Sequence, residues 1–546
     1  MKTALQISIA LSIAVSTALC QAPGLFLDIN SGTNGASVGG LTVFNGKLFF
    51  TANDGINGSE LWTSDGTTPG TTMLKDINSG SGNSYPGYFS DINGLLFFTA
   101  DDGVNGKELW KSDGTAAGTV LVKDIRSGSM GSFSYGNIVN LNGVAYFSAN
   151  DGSVGDELWK SDGTDAGTVL VADINTGTGN SSQFGLSIKN INGTLFFTAD
   201  DGVNGKELWK SDGTGAGTAL IKDINSGSMN STSWAHSLTE MNGLIYFNAN
   251  DGTNGEEFWV TDGTTGGTVL VKDINPGSGN SSPSSKFVNG TLFVVADDGT
   301  NGKELWTSDG TSSGTVLLKD INPSGSSNPS NMADNNGVLF FRGDDGTNGS
   351  ELWKSDGTTS GTTLVKDINS GSAGSTIDNP TAIGGIVYFD ANDGVSGAEM
   401  WKSDGTDAGT VMVADIWSGS GSSWPNTYLK ELNGTYFFTA NDSVHGSELW
   451  SMPAGIVNIQ NNKYSDDRVK IYPNPFSTIA TLSISNEDLT TINELQIVDL
   501  LGRQVMKSEI NHCAIEIERG DLAEGIYFLQ IKNNSNIIYT GKFMIE

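Results

Sequence analysis

Histidine and cysteine are almost missing from this chain, with three and two residues among 546. That is too few for a Cys/His metal cluster or a disulfide framework. Charge is also scarce, at 16% of residues, and basic charge most of all: 29 Lys and Arg stand against 61 Asp and Glu. The resulting formal net charge of −32 repels phosphate backbones and argues against a nucleic-acid partner. Sustained helical periodicity is missing from the repeated region. Beyond the N-terminal leader, no apolar run is long enough for a membrane helix.

What is abundant is glycine, with 73 residues, a composition suited to tight turns between short strands. Residues 1–20 read as a signal peptide: Lys2 gives the positive start, Ala4 to Val15 the apolar stretch, and Ser16 to Cys20 the small residues before a cut near Gln21. Lipid attachment at Cys20 is the weaker alternative, because Leu19 fits poorly before it. If Cys20 leaves with the leader, the mature chain keeps a single thiol, Cys513.

One pattern then recurs. A clear copy runs Asn192-Gly193-Thr194-Leu195-Phe196-Phe197, Asp200-Asp201-Gly202, Glu207-Leu208-Trp209-Lys210-Ser211-Asp212-Gly213-Thr214, and closes on Lys222-Asp223-Ile224-Asn225. Its tryptophan falls at Trp62, Trp110, Trp159, Trp209, Trp259, Trp306, Trp353, Trp401 and Trp450, with 47 to 50 residues between neighbours. Each copy reads as four short strands, here 187–191, 194–199, 206–211 and 218–224, separated by Asn-Gly and Asp-Gly turns. Four strands per unit of this length is the size of a propeller blade. The ninth copy ends at Pro453 without a fourth strand, while the array opens with a lone fourth strand, Leu25 to Asn30. A ring uses that arrangement, because the first segment completes the last blade and covers an open sheet edge. The expected fold is all-β, a nine-bladed β-propeller over residues 21–452 closed by its N-terminal strand. An open β-solenoid is the runner-up.

The repeated Trp reads as packing between blades, since equal spacing implies an equal burial role. The Asp-Gly-Thr turns read as structural. The loops between second and third strands carry Asp101, Asp102, Asp200 and Asp201, whose oxygens are weak calcium candidates; otherwise no cofactor is expected. The blade-to-blade segments differ most between copies and hold Tyr85, Tyr88, Phe133, Tyr135, Phe184, Trp234, Trp417 and Trp424. Tyr88, Tyr135, Trp234, Trp417 and Trp424 are the candidate ligand-binding residues, with plugging of the ring or cover of blade edges as the competing role. No catalytic residue is assigned.

The Glu-Leu-Trp-x-x-Asp-Gly-Thr core, met in full at Glu108 to Thr115, resembles the ELWxxDGT repeat family of bacterial extracellular proteins. The family implies an extracellular repeat protein without a defined activity. After a polar linker, 453–467, residues 468–546 read as a small Ig-like β-sandwich. Its Tyr472-Pro473-Asn474-Pro475 opening, Asp499-to-Arg503 hairpin, Gly525-Ile526-Tyr527 strand and Lys542-bearing last strand resemble the C-terminal sorting domain of type IX secretion in Bacteroidota. That resemblance implies export, handling by the type IX machinery and release or attachment at the cell surface. Three function classes follow: a non-catalytic binding or adhesion module for a glycan or protein, a propeller enzyme acting on extracellular polysaccharide, and a structural surface or matrix component.

Overall fold

Paired positive φ angles fix the strand boundaries. Asn93 (φ 53°) and Gly94 (φ 75°) form the turn between the strands Gly87–Ile92 and Leu95–Asp101, a backbone that Asn and Gly adopt at little cost. The same Asn-Gly turn recurs at Asn142, Asn192, Asn242 and Asn433. The computed structural model describes residues 22–133, 136–182, 187–232 and 238–454. In the tail it describes 469–472, 477–484, 494–498, 504–509, 514–520, 522–533 and 536–545.

The chain divides into two compact units, Met1–Ala454 and Gly455–Glu546. The described residues of the first form nine four-stranded antiparallel sheets, a propeller-like arrangement. Sheets 1 to 8 span residues 39–75, 87–123, 139–172, 189–220, 239–272, 284–319, 330–366 and 378–414. Sheet 9 takes three strands from 426–453 and its fourth from the N-terminus: Gly24–Leu27 pairs antiparallel with Ser447–Pro453, Leu25 opposite Trp450.

The fourth strands are shorter than the sequence implies. Sheet 4 ends at Leu220, and the Asp223-Ile224 pair lies beyond it. The reason is a side chain: Ile224 turns its N–H away from the ladder and donates to the Glu207 carboxylate at 3.2 Å.

Both faces of each sheet are covered, so consecutive residues of the second strand are buried together, as at Phe97 and Phe98. The repeated tryptophans are 5–9% exposed. Trp159 of sheet 3 packs with Phe97 and Leu109 of sheet 2, and Trp209 of sheet 4 with Tyr146 and Leu158 of sheet 3. Fourth-strand lysines reach across the same joints. Lys272 of sheet 5 lies 5.8 Å from the Trp306 ring centroid and donates to the Thr315 carbonyl at 2.7 Å. One such core joins the last sheet to the first: Leu432, Phe437 and Leu449 pack with Leu48, Phe50 and Trp62, with Phe26 against them.

In the second unit, the strands Val469–Tyr472, Ile479–Ile484 and Ala514–Glu518 make one sheet. Gln504–Glu509, Glu494–Val498, Gly525–Asn533 and Asn536–Ile545 make another. Leu482, Ile497, Ile517, Leu529 and Phe543 form a shared core, as in a sandwich. The sequence reading missed the strand Ala514–Glu518. Residues 473–475 and 499–503, which carry two of the tail motifs, lie outside the described residues, as does the leader.

Candidate functional site

The loops between second and third strands lie against the segments that join one sheet to the next. Ser59, which opens a third strand, accepts the Ser84 N–H at 3.0 Å, and its own N–H donates to Asn83 Oδ1 at 2.9 Å. A Cβ on Gly58 would stand 1.8 Å from the Gly82 carbonyl oxygen, so only glycine permits this approach.

What holds the joining segments is the glutamate of the Glu-Leu-Trp core, which sequence reasoning left without a role. Glu60 is fully buried. It accepts the Ile77 N–H at 2.7 Å, the Ser84 N–H at 2.9 Å and the Ser84 hydroxyl at 2.7 Å. Glu257 repeats the set with Ile274 and Ser281, and Glu304 with Ile321 and Ser327. Burial raises these carboxyls despite the donors, to about 7 at Glu108, Glu157 and Glu207. At the seam Glu448 takes its donors from the opposite end of the chain: the N–H groups of Ile29 at 3.0 Å, Asn30 at 3.1 Å and Ala36 at 2.8 Å. The glutamate itself was visible, standing in every copy next to the buried apolar residue and tryptophan; its partners were not.

The calcium candidates are turn residues here. Asp102 Oδ1 accepts the N–H groups of Val104 and Asn105, and its Oδ2 accepts the Asn105 side-chain amide at 2.7 Å. Burial opposes ionisation of Asp102, and these amide donors outweigh it, leaving the carboxyl below its usual range. Asp201 is held likewise by Val203 and Asn204. Asp101 and Asp200 each accept the glycine N–H two residues on. No group of three or more His, Cys, Asp or Glu among the described residues is arranged to hold a metal.

The aromatic candidates separate. Tyr88 is 40% exposed, with Lys107 Nζ 5.3 Å from its ring centroid; Trp424 is 68% exposed. Both have positive φ, as does exposed Tyr85. Trp417 is half-buried, its ring against Gly421, at the place where other copies have a loop-bridging asparagine such as Asn78. Phe133 is buried and stacks on Phe147 at 5.1 Å, so it belongs to the core. Tyr135, Phe184 and Trp234 lie outside the described residues.

Tyr88 shares a cavity of about 390 Å³ with residues the sequence reading passed over. The walls are first strands of three sheets in succession across the seam: Asn426, Tyr428 and Lys430 of sheet 9, Gly40 and Thr42 of sheet 1, and Tyr88 and Phe89 of sheet 2. Tyr428 is 57% exposed. Gly40 (φ 66°) is required here, since a Cβ would meet the Phe89 ring at 2.8 Å.

A second feature is acidic. Asp390 on sheet 8 is 4% exposed, faces Asp378 across the first two strands, and has its Oδ1 without a hydrogen-bond partner among the described residues. Burial, then the charges of Asp378 and Glu399, push its carboxyl up to about 7. In four other sheets this position holds threonine, and in the remaining four Ser148, Asn248, Val295 or Arg342.

Comparison with known proteins decides the cellular address. Residues 470–546 match the secretion system C-terminal sorting domain. The protein is therefore secreted or held at the outer-membrane surface, and its sorting domain interacts with the type IX secretion machinery. Among the described residues no helix is long and apolar enough to cross a membrane.

An endo-acting ulvan lyase of Formosa agariphila is 30% identical over 91 residues, which are 16% of this chain and 17% of that protein; the match thus spans about a sixth of the curated relative's length. PorZ, a surface component of the type IX secretion system of Porphyromonas gingivalis, is similar at 13% identity. The match covers 93% of this chain and 75% of PorZ, with a TM-score of 0.31. Puromycin hydrolase is similar at 13% identity over 65% of this chain and 58% of its own, with a TM-score of 0.32.

Proposed function

We propose that residues 21–452 form a closed nine-bladed propeller of the ELWxxDGT repeat type. It serves outside the cell as a non-catalytic binding or adhesion module, with a glycan or a surface protein as ligand. Support for the ring comes from Gly24–Leu27 pairing with the last sheet and from Glu448 bracing residues 29–36.

The observation that carries the binding role is the seam cavity. The partly exposed rings of Tyr88 and Tyr428 suit contact with the C–H faces of a sugar, while Asn426, Thr42 and Lys430 offer polar groups to its hydroxyls. Trp424 and Trp417, on the segment entering sheet 9, and Tyr135 and Trp234 on other segments are proposed as further ligand contacts.

A glycan array and a polysaccharide-degradation screen, run with the secreted protein, test the reading. Binding without soluble product, weakened by Tyr428→Ala, supports it; turnover rules it out as the whole account. Asp390 favours a second reading, a propeller enzyme acting on extracellular polysaccharide, because a buried carboxyl titrating near 7 beside a second acid suits general acid–base work. Product formation lost in Asp390→Asn would establish it.

A further inference from the structure

A second cavity, of about 490 Å³, lies at the joint of sheets 6 and 7, and its lining is basic in a chain with 61 acids and 29 bases. Lys303 comes from sheet 6, Ser327 from the joining segment, and Ser330, Arg342, Asp344 and Ser350 from sheet 7. Arg342 is the one cation at its second-strand position, which is threonine in four sheets and Ser148, Asn248, Val295 or Asp390 in the others; it lies directly opposite Ser330 in register.

Among the described residues, Arg342 Nε and Ser330 Oγ are buried without a hydrogen-bond partner. A buried donor left unpaired is costly, and two on facing strands of one cavity call for one acceptor. The carboxylate on the lining, Asp344, spends its Oδ1 on the Gly346 N–H at 2.7 Å, as Asp101, Asp200 and Asp297 do on their own glycines. The joining segment is also particular to this joint. Glu304 finds its serine 23 residues on, whereas Glu257 and Glu399 find theirs at 24.

We propose that this cavity binds an oxyanion, the carboxylate or sulfate of an acidic saccharide, with Arg342 and Ser330 as donors and Lys303 adding positive charge. A planar guanidinium suits such a group, and the charge-assisted bonds are strong ones. The site is separate from the seam cavity and goes beyond the reading built on it.

The test is calorimetric titration of the full secreted chain with glucuronate, inorganic sulfate and neutral glucose as probes. Glucuronate or sulfate should bind saturably and glucose should not; which anion binds tighter tells carboxylate from sulfate. Arg342→Thr, the residue other copies tolerate, should weaken binding about tenfold or more. Arg342→Lys should retain part of it, and Tyr428→Ala should leave it unchanged. Equal binding by Arg342→Thr, equal binding of glucose, or no saturable anion binding would each overturn the proposal. A loss of glycan binding confined to Tyr428→Ala concerns the seam cavity alone.

Discussion

At the scale of single residues, the buried glutamate is the link between repeat and surface. Its oxygens replace the strand ladder for the isoleucine and serine N–H groups that follow, so each joining segment turns in a fixed way. Glu257→Ala leaves the buried Ile274 N–H without its acceptor and the Ser281 N–H and hydroxyl with the Glu256 carbonyl alone, and should cost about 2 kcal/mol in denaturant unfolding, with Glu257→Gln nearer wild type.

The same residues set a pH dependence. Glu108, Glu157 and Glu207 titrate near 7 in the fold against 4.5 for an ordinary glutamate, so the native state holds more protons across that window. Their contribution to stability is full below about 4.5 and is lost as pH rises through 7, whereas aspartates held below their usual range, such as Asp102, lose theirs only at more acid pH. The melting temperature should be higher at pH 5 than at pH 8, and neutralising part of the −32 charge acts in the same direction. These partnerships were not legible in the sequence, because the partner lies 17 to 24 residues away and no local pattern marks it.

At the scale of strands and loops, much was legible. Asn-Gly turns need positive φ at both residues, so they announced the first hairpin of nearly every sheet, and the third strand Lys206–Ser211 has the limits read from its sequence. Fourth strands were overextended because their apolar alternation runs on into residues whose N–H groups belong to a glutamate. Tyr428 is not legible as a site residue because it sits within the strand Asn426–Leu432 and not in a joining loop. Arg342 and Ser330 become partners only through strand register. The Asp-rich loops close on their own amides, so calcium chelation should leave the melting temperature unchanged, as differential scanning with and without EDTA checks.

At the scale of the whole molecule, the account rests on the two ends of the repeat region meeting. The missing strand at one end and the surplus strand at the other were visible in sequence; their pairing places the seam cavity across three first strands and gives Glu448 its donors. The most direct test is a cross-link at that joint. Gly24 and Ser451 are register partners, within the Cα separation a disulfide spans. In a Cys513→Ser background, Gly24→Cys with Ser451→Cys should form an intramolecular disulfide in the folded protein and raise its melting temperature. Failure to cross-link in the native state, or cross-linking only between molecules, would contradict it.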